Sequence, residues 1–271
     1  NGRTEKVLEI VTDVTARKRF EGQLIRTEKL SATGEMAAII AHEMRNSLTS
    51  VNLILQVMTD SVERASEEAK SLEVAIESVN RMETIVRQLL EFAKPSETKL
   101  QTANINDLVE QSLAFCKYQF QRKQIQLKKN LARDLPYSNV DVEMMREALI
   151  NLLLNSADAV GNKDTVFVET GFMKLQKPLK DDYERTTILL KRGQSVLRIV
   201  VQDNGTGIAS EDLERIFDPF FTRKIQGTGL GLTMARRALA EHGGILQVES
   251  KRGKGSTITI FLPFNSTKVE V

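Results

Sequence analysis

The chain contains two histidines, and His42 lies in a segment whose apolar residues recur with the period of a helix. At about 100° per residue, one face of that predicted helix is apolar and carries Ala37, Ile40, Met44, Leu48, Val51, Leu55, Met58 and Val62. His42 points away from this face, with Asn46 and Thr49 beside it and Glu43 a quarter-turn round. An imidazole on the solvent side of a rigid helix, next to a carboxylate, is placed to react rather than to pack. A solvated histidine without a chemical role is the alternative that this helix alone leaves open.

Two asparagines, Asn151 and Asn155, stand four residues apart and therefore share one face of a later predicted helix, with Asp158 one turn further. Carboxamide oxygens suit Mg²⁺, a hard cation that commonly bridges protein oxygens and nucleotide phosphates. A polar helix edge is the alternative for the asparagines taken alone.

A carboxylate follows the apolar strand predicted at Val196–Gln202. Asp203 stands there with Gly205 and Gly207 close behind it. A carboxylate at a strand end, beside backbone freed by glycine, can accept a hydrogen bond from an exocyclic amine such as that of adenine. A simple Asp-Asn-Gly turn is the alternative.

A second glycine-rich loop opens a predicted helix and consists of Gly227, Thr228, Gly229, Leu230 and Gly231. Glycines let the backbone approach a ligand closely, and the N–H groups and dipole of a helix N-terminus bind phosphate. The spacing is not that of a Rossmann or Walker loop, so a tight turn stays an alternative.

An aromatic segment with two cations precedes this loop. It begins at Phe217, includes Phe220 and Phe221, and ends with Arg223 and Lys224. Such a segment suits a mobile flap over a triphosphate; a satellite hydrophobic cluster is the alternative.

Glycine and proline divide the elements that must position these residues. No glycine occurs between Gly34 and Gly161, and no proline before Pro95, whereas glycine is frequent in the last third. A front without helix breakers and a back rich in turns predict a helical module followed by an α/β module.

The front is predicted to be a helical hairpin, with one helix at Ala16–Asp60, a turn at Ser61–Ser66 and a second helix after it. The second helix carries a heptad seam of Leu72, Ala75, Val79, Met82, Val86, Leu89 and Ala93. One hairpin cannot cover its own wide apolar faces, so we expect a homodimeric, antiparallel four-helix bundle. A solvated tether of charged helices is the alternative, although unbroken seams are rare in tethers.

Before the hairpin, Val7–Thr15 reads as a β-branched strand, which cannot be stable alone. Its Asp-Val-Thr ending resembles the exit of a PAS domain, so we expect the last strand of an upstream sensor domain.

Pro95 stops the second helix, and the predicted domains are therefore residues 1–15, 16–95 and 96–271. In the last domain helices and strands alternate, which indicates an α/β sandwich and an α+β multidomain chain. The elements expected are helices near Asn104–Cys116, Val142–Val160 and after Gly229, and strands at Gln124–Lys129, Thr165–Phe172, Val196–Gln202, Ile245–Ser250 and Thr257–Leu262. Lys174–Gln194 is predicted to be an inserted hairpin or loop without an assigned function.

Composition fits this organisation. The 271 residues are 41% hydrophobic and 27% charged, as in a soluble globular protein, and the net charge of +2 does not favour nucleic acid as the main partner. Cys116 is the single cysteine, so a reducing compartment is expected. No apolar run spans a bilayer. Because the chain begins at Asn1, we interpret it as the cytoplasmic portion of a protein that is itself either cytoplasmic or anchored in the inner membrane.

The order and spacing of these motifs resemble the sensor histidine kinases, whose catalytic half is the Bergerat, or GHKL, ATP-binding sandwich shared with gyrase, the Hsp90 chaperones and MutL. Asn151–Ser156 resembles the N box, and Asp203–Gly207 the first glycine box. Phe217–Phe221 resembles the F box, and Gly227–Gly231 the second glycine box. His42–Asn46 is similar to the H box, which gyrase, Hsp90 and MutL lack.

The resemblance implies a role for each residue around ATP and Mg²⁺. Asp203 would hold adenine, backed by Ser256, and Asn155, assisted by Asn151, would bind Mg²⁺. Lys224 and Arg223 would contact phosphates above the backbone of the second glycine box.

The resemblance also implies the chemistry of the H box. His42 would be the phosphoacceptor and Glu43 the general base that removes its second proton. Asn46 would orient water for removing the phosphoryl group from the partner protein.

Three positions depart from the family pattern. Ser47 stands where proline is common, so a bend below the histidine is weaker. Asp158 and Ala159 stand where many relatives carry a lysine and an aromatic near the nucleotide.

The other histidine, His242, follows a predicted helix, where a cap or dipole partner is its expected role.

Three apolar residues, Ile39, Leu53 and Val57, project on the same solvent side as His42. They suggest a docking stripe for a response-regulator receiver domain; singly exposed apolar residues are the ordinary alternative.

Together these features predict ATP-dependent autophosphorylation of His42 and transfer of the phosphoryl group to an aspartate of a response regulator, with phosphatase activity toward that regulator as a further option. The competing classes are a degenerate relay module without chemistry and an ATPase clamp of the gyrase or chaperone type.

Overall fold

The computed structural model describes residue 44 and residues 48–59, 67–93, 98–183, 186–224 and 227–264. The predictions made for Ile39, His42, Glu43 and Asn46 lie outside the described residues. So do those made for residues 7–15 and 61–66. Within the described part of the chain, no helix combines the length and apolar character needed to cross a bilayer.

The predicted pair of front helices is present. Helix α1 covers residues 48–59, and helix α2 is Glu67–Ala93. They pack through a small buried cluster of Leu48, Val79 and Val86, with Leu55 beside it. Across the same contact, Asn52 Nδ2 donates to Asn80 Oδ1 at 3.1 Å.

Several other described residues of these apolar faces are partly exposed. Met44, Val51, Met58 and Met82 are between 41% and 48% exposed, although the helical period places them beside the buried cluster. A single hairpin therefore leaves an apolar surface, as the heptad seam predicts.

A five-stranded sheet forms the second layer of the α/β domain, in the order β2-β4-β7-β9-β8. Its strands are β2 (Gln126–Asn130), β4 (Thr165–Lys174), β7 (Ser195–Asp203), β8 (Ile245–Lys251) and β9 (Gly255–Pro263). Strand β2 is parallel to β4, and the other neighbours are antiparallel. Alternation along the first part of β4 turns one face of the sheet inward, whereas β7 is buried at most positions.

Three helices cover that inner face: α3 (Ile105–Arg122), α4 (Val142–Ala159) and α5 (Gly231–Glu241). Cys116, Leu152 and Leu239 bring the helices into one buried cluster with strand residues such as Leu197 and Ile260. The predicted α/β sandwich is confirmed.

Two helices begin at side-chain caps. Asn104 Oδ1 accepts from the N–H of Asn106 at 2.9 Å, and Asp141 Oδ1 accepts from the N–H of Met144 at 3.1 Å. Burial opposes ionisation of Asp141, but the backbone donors of Lys99 and Met144 outweigh it and hold the pKa of this carboxyl below its usual value. The caps fix where α3 and α4 start.

His242 is a structural residue, as predicted. It caps the C-terminus of α5, and its Nε2 accepts from the N–H of Asp141 at 2.8 Å. Because Nε2 is the acceptor, Nδ1 carries the proton and donates to the carbonyl of Ala238 at 2.6 Å. The imidazole thus joins the end of α5 to the start of α4.

The predicted insertion is a hairpin of β5 (Leu179–Tyr183) and β6 (Thr186–Leu190), paired antiparallel. It packs against the end of the sheet through a separate buried cluster of Leu175, Ile188, Leu190, Val196 and Ile245.

Two expectations need correction. Helix α3 runs to Arg122 rather than ending near Cys116, because Phe120 continues its buried face. A small sheet of β1 (Gln101–Ala103) and β3 (Ser138–Val140) was not predicted. Strands of three residues are too short to show an alternating pattern.

Candidate functional site

A cavity of about 890 Å³ lies between α4, the end of β7, the segment before α5 and the turn between β8 and β9. Its lining unites residues from every predicted motif of the last domain: Asn151, Asn155, Asp203, Gly207, Arg223, Lys224, Gly227, Thr228, Gly229, Gly231 and Ser256. Elements far apart in the sequence therefore meet around one space large enough for a small ligand.

Asp203 forms the deep end of the cavity. The register of β7 on β9 sets Asp203 opposite Ser256, and Asp203 is only 5% exposed. Its Oδ1 accepts from the N–H of Gly205 at 2.9 Å and of Ser256 at 3.3 Å. Since both backbone donors use Oδ1, Oδ2 is the oxygen left for a ligand. A buried carboxylate oxygen in a cavity wall is suited to accept from an exocyclic amine.

Burial raises the pKa of Asp203, and the donors at Gly205 and Ser256, with smaller contributions from Ser156 and Lys224, offset this only in part. Among the described residues, the buried hydroxyl of Ser156 has no hydrogen-bond partner. A carboxylate left short of partners beside a cavity is a feature of binding sites.

Helix α4 and the segment before α5 meet at Lys224. Its Nζ donates to Asn155 Oδ1 at 3.0 Å and to Asp158 Oδ2 at 2.9 Å. The predicted metal ligand and the predicted phosphate contact thus touch each other, and Asp158, noted as a departure from the family pattern, provides the charge that holds the ammonium there.

The same corner has the donors that a hard cation requires. Asn151, Asn155 and Asp158 offer oxygens along one helix face, which fits Mg²⁺. In the described part of the chain, no group of three His, Cys, Asp or Glu residues could hold a metal ion. An ion at this corner would therefore complete its coordination with oxygens of a bound phosphate or water.

The second glycine box shapes another part of the cavity wall. Gly229 has φ +69°, and a Cβ there would lie 2.4 Å from the carbonyl carbon of Phe220, so only glycine fits. The following helix α5 begins without a side-chain cap, unlike α3 and α4. Its first N–H groups are therefore left for an anion in the cavity.

A second cation at the cavity mouth is held by a carboxylate. Arg223 donates to Asp212 through Nε at 3.2 Å and through Nη2 at 2.9 Å. This hydrogen bond holds the pKa of Asp212 below its usual value. The Phe221 ring lies beneath the guanidinium groups of Arg215 and Arg223, at 4.4 and 5.9 Å. The guanidinium of Arg223 therefore bonds Asp212, whereas the ammonium of Lys224 bonds Asn155 and Asp158.

Three predicted binding residues do not line the cavity and instead pack against the elements that form its wall. Phe217 packs on the core cluster, and Leu230 is 1% exposed. Gly205 lies against α4, where a Cβ would come within 2.2 Å of the carbonyl oxygen of Ala159. Conversely, the cavity includes Asp212 and Arg252, which the sequence analysis missed. Each stands in a polar segment with nothing to distinguish it from a solvated charge.

The predicted docking stripe is described in part. Leu53 and Val57 are each 63% exposed. Their role as a docking surface stays a prediction.

The sheet covered by helices on one face and the cavity at its edge define a nucleotide-binding domain of the type shared by gyrase, Hsp90 and histidine kinases. Residues 140–266 match the family model described as histidine kinase-, DNA gyrase B- and HSP90-like ATPase. Residues 32–98 match that of the His Kinase A (phospho-acceptor) domain. The second match includes His42.

Curated relatives carry both parts. Sensor histidine kinase ZraS of Escherichia coli (strain K12) is 33% identical over 253 residues, which are 93% of this chain and 50% of that protein. Sporulation kinase C of Bacillus subtilis (strain 168) is 31% identical over 265 residues, 94% of this chain and 56% of that protein. The chain therefore spans about half the length of the relatives it matches.

Solved structures agree with the fold. Full-length ShkA in complex with AMPPNP superposes with a TM-score of 0.66 at 23% identity, covering 85% of this chain and 46% of that one. Histidine kinase ThkA in complex with response regulator protein TrrA gives a TM-score of 0.61 at 26% identity, covering 95% and 69%. The chain is thus similar to sensor histidine kinases in both of its parts, the segment that matches the phosphoacceptor domain and the segment that matches the histidine kinase-, DNA gyrase B- and HSP90-like ATPase.

Proposed function

We propose that this chain is the kinase portion of a two-component sensor, which transfers the γ-phosphoryl group of ATP to His42 and then to an aspartate of a response regulator. One observation carries the proposal: a buried carboxylate, an asparagine helix, a lysine and an uncapped helix N-terminus surround one cavity. The same chain contains a segment that matches the phosphoacceptor family.

The cavity supports one orientation of ATP. Asp203 Oδ2 would accept from the adenine amine, with Ser256 beside it, because this end is buried and the backbone donors bond Oδ1. The triphosphate would lie toward Gly229 and the first turn of α5, where uncapped N–H groups and Lys224 supply positive charge. The uncharged adenine would therefore lie at one end of the cavity and the anionic triphosphate at the other.

Asn155, assisted by Asn151, would bind Mg²⁺ together with phosphate oxygens, and the ion would neutralise charge on the phosphates. Lys224 Nζ donates to the side-chain oxygen of Asn155. Lys224 would therefore leave Asn155 and Asp158 when nucleotide binds, and its ammonium would move to the phosphates.

The H box supplies the acceptor chemistry. A nitrogen of neutral His42 attacks the γ-phosphorus, the bond from that phosphorus to the bridging oxygen breaks, and ADP leaves with the electron pair. Glu43 accepts the proton from the other nitrogen, which avoids a doubly cationic phosphoimidazole. Asn46 would orient water when the phosphoryl group is removed from the regulator. Preorganised positive charge supplies most of the rate.

A homodimer is the proposed assembly. Met44, Val51, Met58 and Met82 form a partly exposed apolar surface beside the buried cluster of α1 and α2. A second hairpin would cover that surface in a four-helix bundle. Leu53 and Val57, on the opposite side of α1, together with Ile39 would then remain for a receiver domain.

We also place the domain boundaries near residues 15 and 95, with residues 1–15 ending a PAS-like sensor. Helix α2 ends at Ala93, which supports the second boundary. Ile105 and Leu108 share the core of the α/β domain, so the nucleotide-binding unit begins before the match at residue 140.

The test is incubation with γ-labelled ATP and Mg²⁺, comparing the native chain with His42→Gln. We expect acid-labile, base-stable label on the native chain and none on the variant, while both bind ATP equally. Nucleotide binding without label would support a relay module. Release of free phosphate without phosphohistidine would support an ATPase clamp, and label that persists on His42→Gln would identify another acceptor.

A further inference from the structure

The β5–β6 hairpin is fastened to helix α5 by a partly buried ion pair. Arg236 of α5 donates to both carboxylate oxygens of Asp181 on β5, with the Nε to Oδ2 distance at 3.1 Å. Its Nη2 also donates to the carbonyl of Asp182 at 3.0 Å. The side chains of Arg236 and Asp181 are 22% and 15% exposed. A bidentate pair shielded to this degree is the strong kind of ion pair.

The same arginine supports the start of the segment over the cavity. Its guanidinium carbon lies 4.8 Å from the centre of the Phe217 ring, within the range of a cation–π contact. One turn earlier on α5, Thr233 Oγ1 donates to the carbonyl of Phe217 at 3.1 Å. Helix α5 therefore holds Phe217 by both its ring and its backbone.

Phe217 is one fixed end of the segment that carries two of the cavity's cations, Arg223 and Lys224. Phe221, Arg223 and Lys224 follow it and line the cavity. Midway along this segment, the N–H of Phe220 donates to the carbonyl of Gly229 at 3.1 Å. The position of Phe217 therefore sets where the backbone presents Arg223 and Lys224 to a triphosphate.

The hairpin can act as a rigid support because it is anchored independently of this ion pair. Leu175, Ile188 and Leu190 are buried together with Val196 of β7 and Ile245 of β8. Asp181 is thus presented from a packed element rather than from a solvated loop, so the chain Asp181–Arg236–Phe217 joins one packed element to the cation-bearing segment.

We propose that Asp181 and Arg236 are positioning residues for the phosphate end of the nucleotide site, and that the inserted hairpin sets the affinity for the triphosphate without touching it. This inference rests on the proposed function and assigns a role to the insertion. Because the adenine end depends on Asp203, β7 and β9, the support acts on phosphate recognition and leaves adenine recognition unchanged.

The experiment measures dissociation constants for ATP and for adenosine with the native chain, Asp181→Asn and Glu169→Gln. Glu169 pairs with Arg198 across β4 and β7, with side chains 23% and 35% exposed. Glu169→Gln is thus a control for loss of a comparable ion pair remote from the cavity. We expect Asp181→Asn to weaken ATP about three- to tenfold, in the range of mutations that act through a network. Adenosine binding should change less than twofold, and Glu169→Gln should change neither.

Two further measurements separate positioning from general destabilisation. In Asp181→Asn, amide hydrogen exchange should accelerate at residues 217–224 and stay native in β7. Arg236→Gln should weaken ATP to a similar degree, with no additional loss in the double variant.

Equal loss of ATP and adenosine affinity, unchanged ATP affinity, or native exchange at residues 217–224 would overturn the inference. Failure of the native chain to bind ATP would instead contradict the proposed function itself.

Discussion

The helical hairpin and the α/β domain differ in how fully each buries its apolar surface. The hairpin has a buried cluster of Leu48, Val79 and Val86, while Val51 and Met58 on the same face of α1 are 44% and 48% exposed. The α/β domain joins three helices and a five-stranded sheet in one core. One region lacks part of its packing within a single chain, and the other has a complete interior.

The polar groups also differ between the two regions. In the hairpin, Asn52 Nδ2 donates to Asn80 Oδ1, and the buried Oδ1 of Asn52 has no hydrogen-bond partner among the described residues. In the α/β domain, the cavity gathers a buried carboxylate, carboxamides and cations. The hairpin is thus incomplete in apolar contacts, which another protein surface can supply. The domain is incomplete in polar contacts, which a charged small ligand can supply.

The largest expected effect concerns the apolar surface of the hairpin and the proposed dimer. Val51→Asp would place a charge in the proposed dimer interface, and burying an unpaired charge costs about 3–5 kcal/mol. We expect the dimer dissociation constant to rise about a thousandfold, at about 1.4 kcal/mol per factor of ten. Sedimentation equilibrium would measure it, and ATP affinity should not change because the cavity lies in the other region.

The matched control is Val74→Asp. Val74 is 63% exposed on α2 and lies opposite the seam of Leu72, Val79 and Val86. It should leave the dimer intact. Equal dissociation in both variants, or a native-like dimer in Val51→Asp, would mean that the exposed apolar residues of α1 are not the interface.

A smaller effect is expected in the polar cavity of the α/β domain. In Asp203→Asn, the side-chain oxygen would keep the N–H groups of Gly205 and Ser256, which both use Oδ1. The amide nitrogen would then replace Oδ2 and face the adenine amine, donor against donor. We expect ATP affinity to fall about a hundredfold, as when a buried polar group loses its partner. Isothermal titration calorimetry would measure the loss.

The stability of the same variant has a definite sign. Burial raises the folded-state pKa of Asp203, so its contribution to stability is full below the unfolded-state pKa, near 3.9, and is lost as pH rises through the folded-state pKa. Asn does not titrate. Without nucleotide, Asp203→Asn should therefore unfold at a midpoint temperature at least as high as that of the native chain at pH 7. The difference between the two midpoints should shrink toward pH 4. A lower midpoint at pH 7 would contradict this account.

Much of this comparison could be predicted from the sequence. The seam of α2 and the motifs around Asn155, Asp203 and Gly229 were visible because periodicity and glycine spacing are local signals. The small β1–β3 sheet was not, because its strands are too short to show a pattern. The roles of Asp212 and Arg236 were not, because each depends on an ion pair that only the fold shows. Phe217 shows the same limit: its motif was recognised, but only the fold shows that it packs behind the cavity.

The smallest expected effect concerns the lysine that ties the two walls of the cavity together. Lys224 and Asp158 are 42% and 58% exposed, and a pair this exposed contributes at most about 1 kcal/mol. Because nucleotide would displace Lys224 from Asp158, Asp158→Asn should tighten ATP binding about two- to fourfold, corresponding to about 0.4–0.8 kcal/mol. Competition with a fluorescent ATP analogue in Mg²⁺ would measure this.

Two controls separate release of Lys224 from a general loss of negative charge. Glu110→Gln removes a similarly exposed ion pair, with Lys129, on the far side of α3, and should leave ATP affinity unchanged. In a Lys224→Met background, Asp158→Asn should lose its effect, because there is no ammonium left to release. If the gain persisted there, Asp158 would act by repelling the triphosphate directly. Unchanged ATP affinity in Asp158→Asn alone would mean that the ion pair between Lys224 and Asp158 does not oppose nucleotide binding.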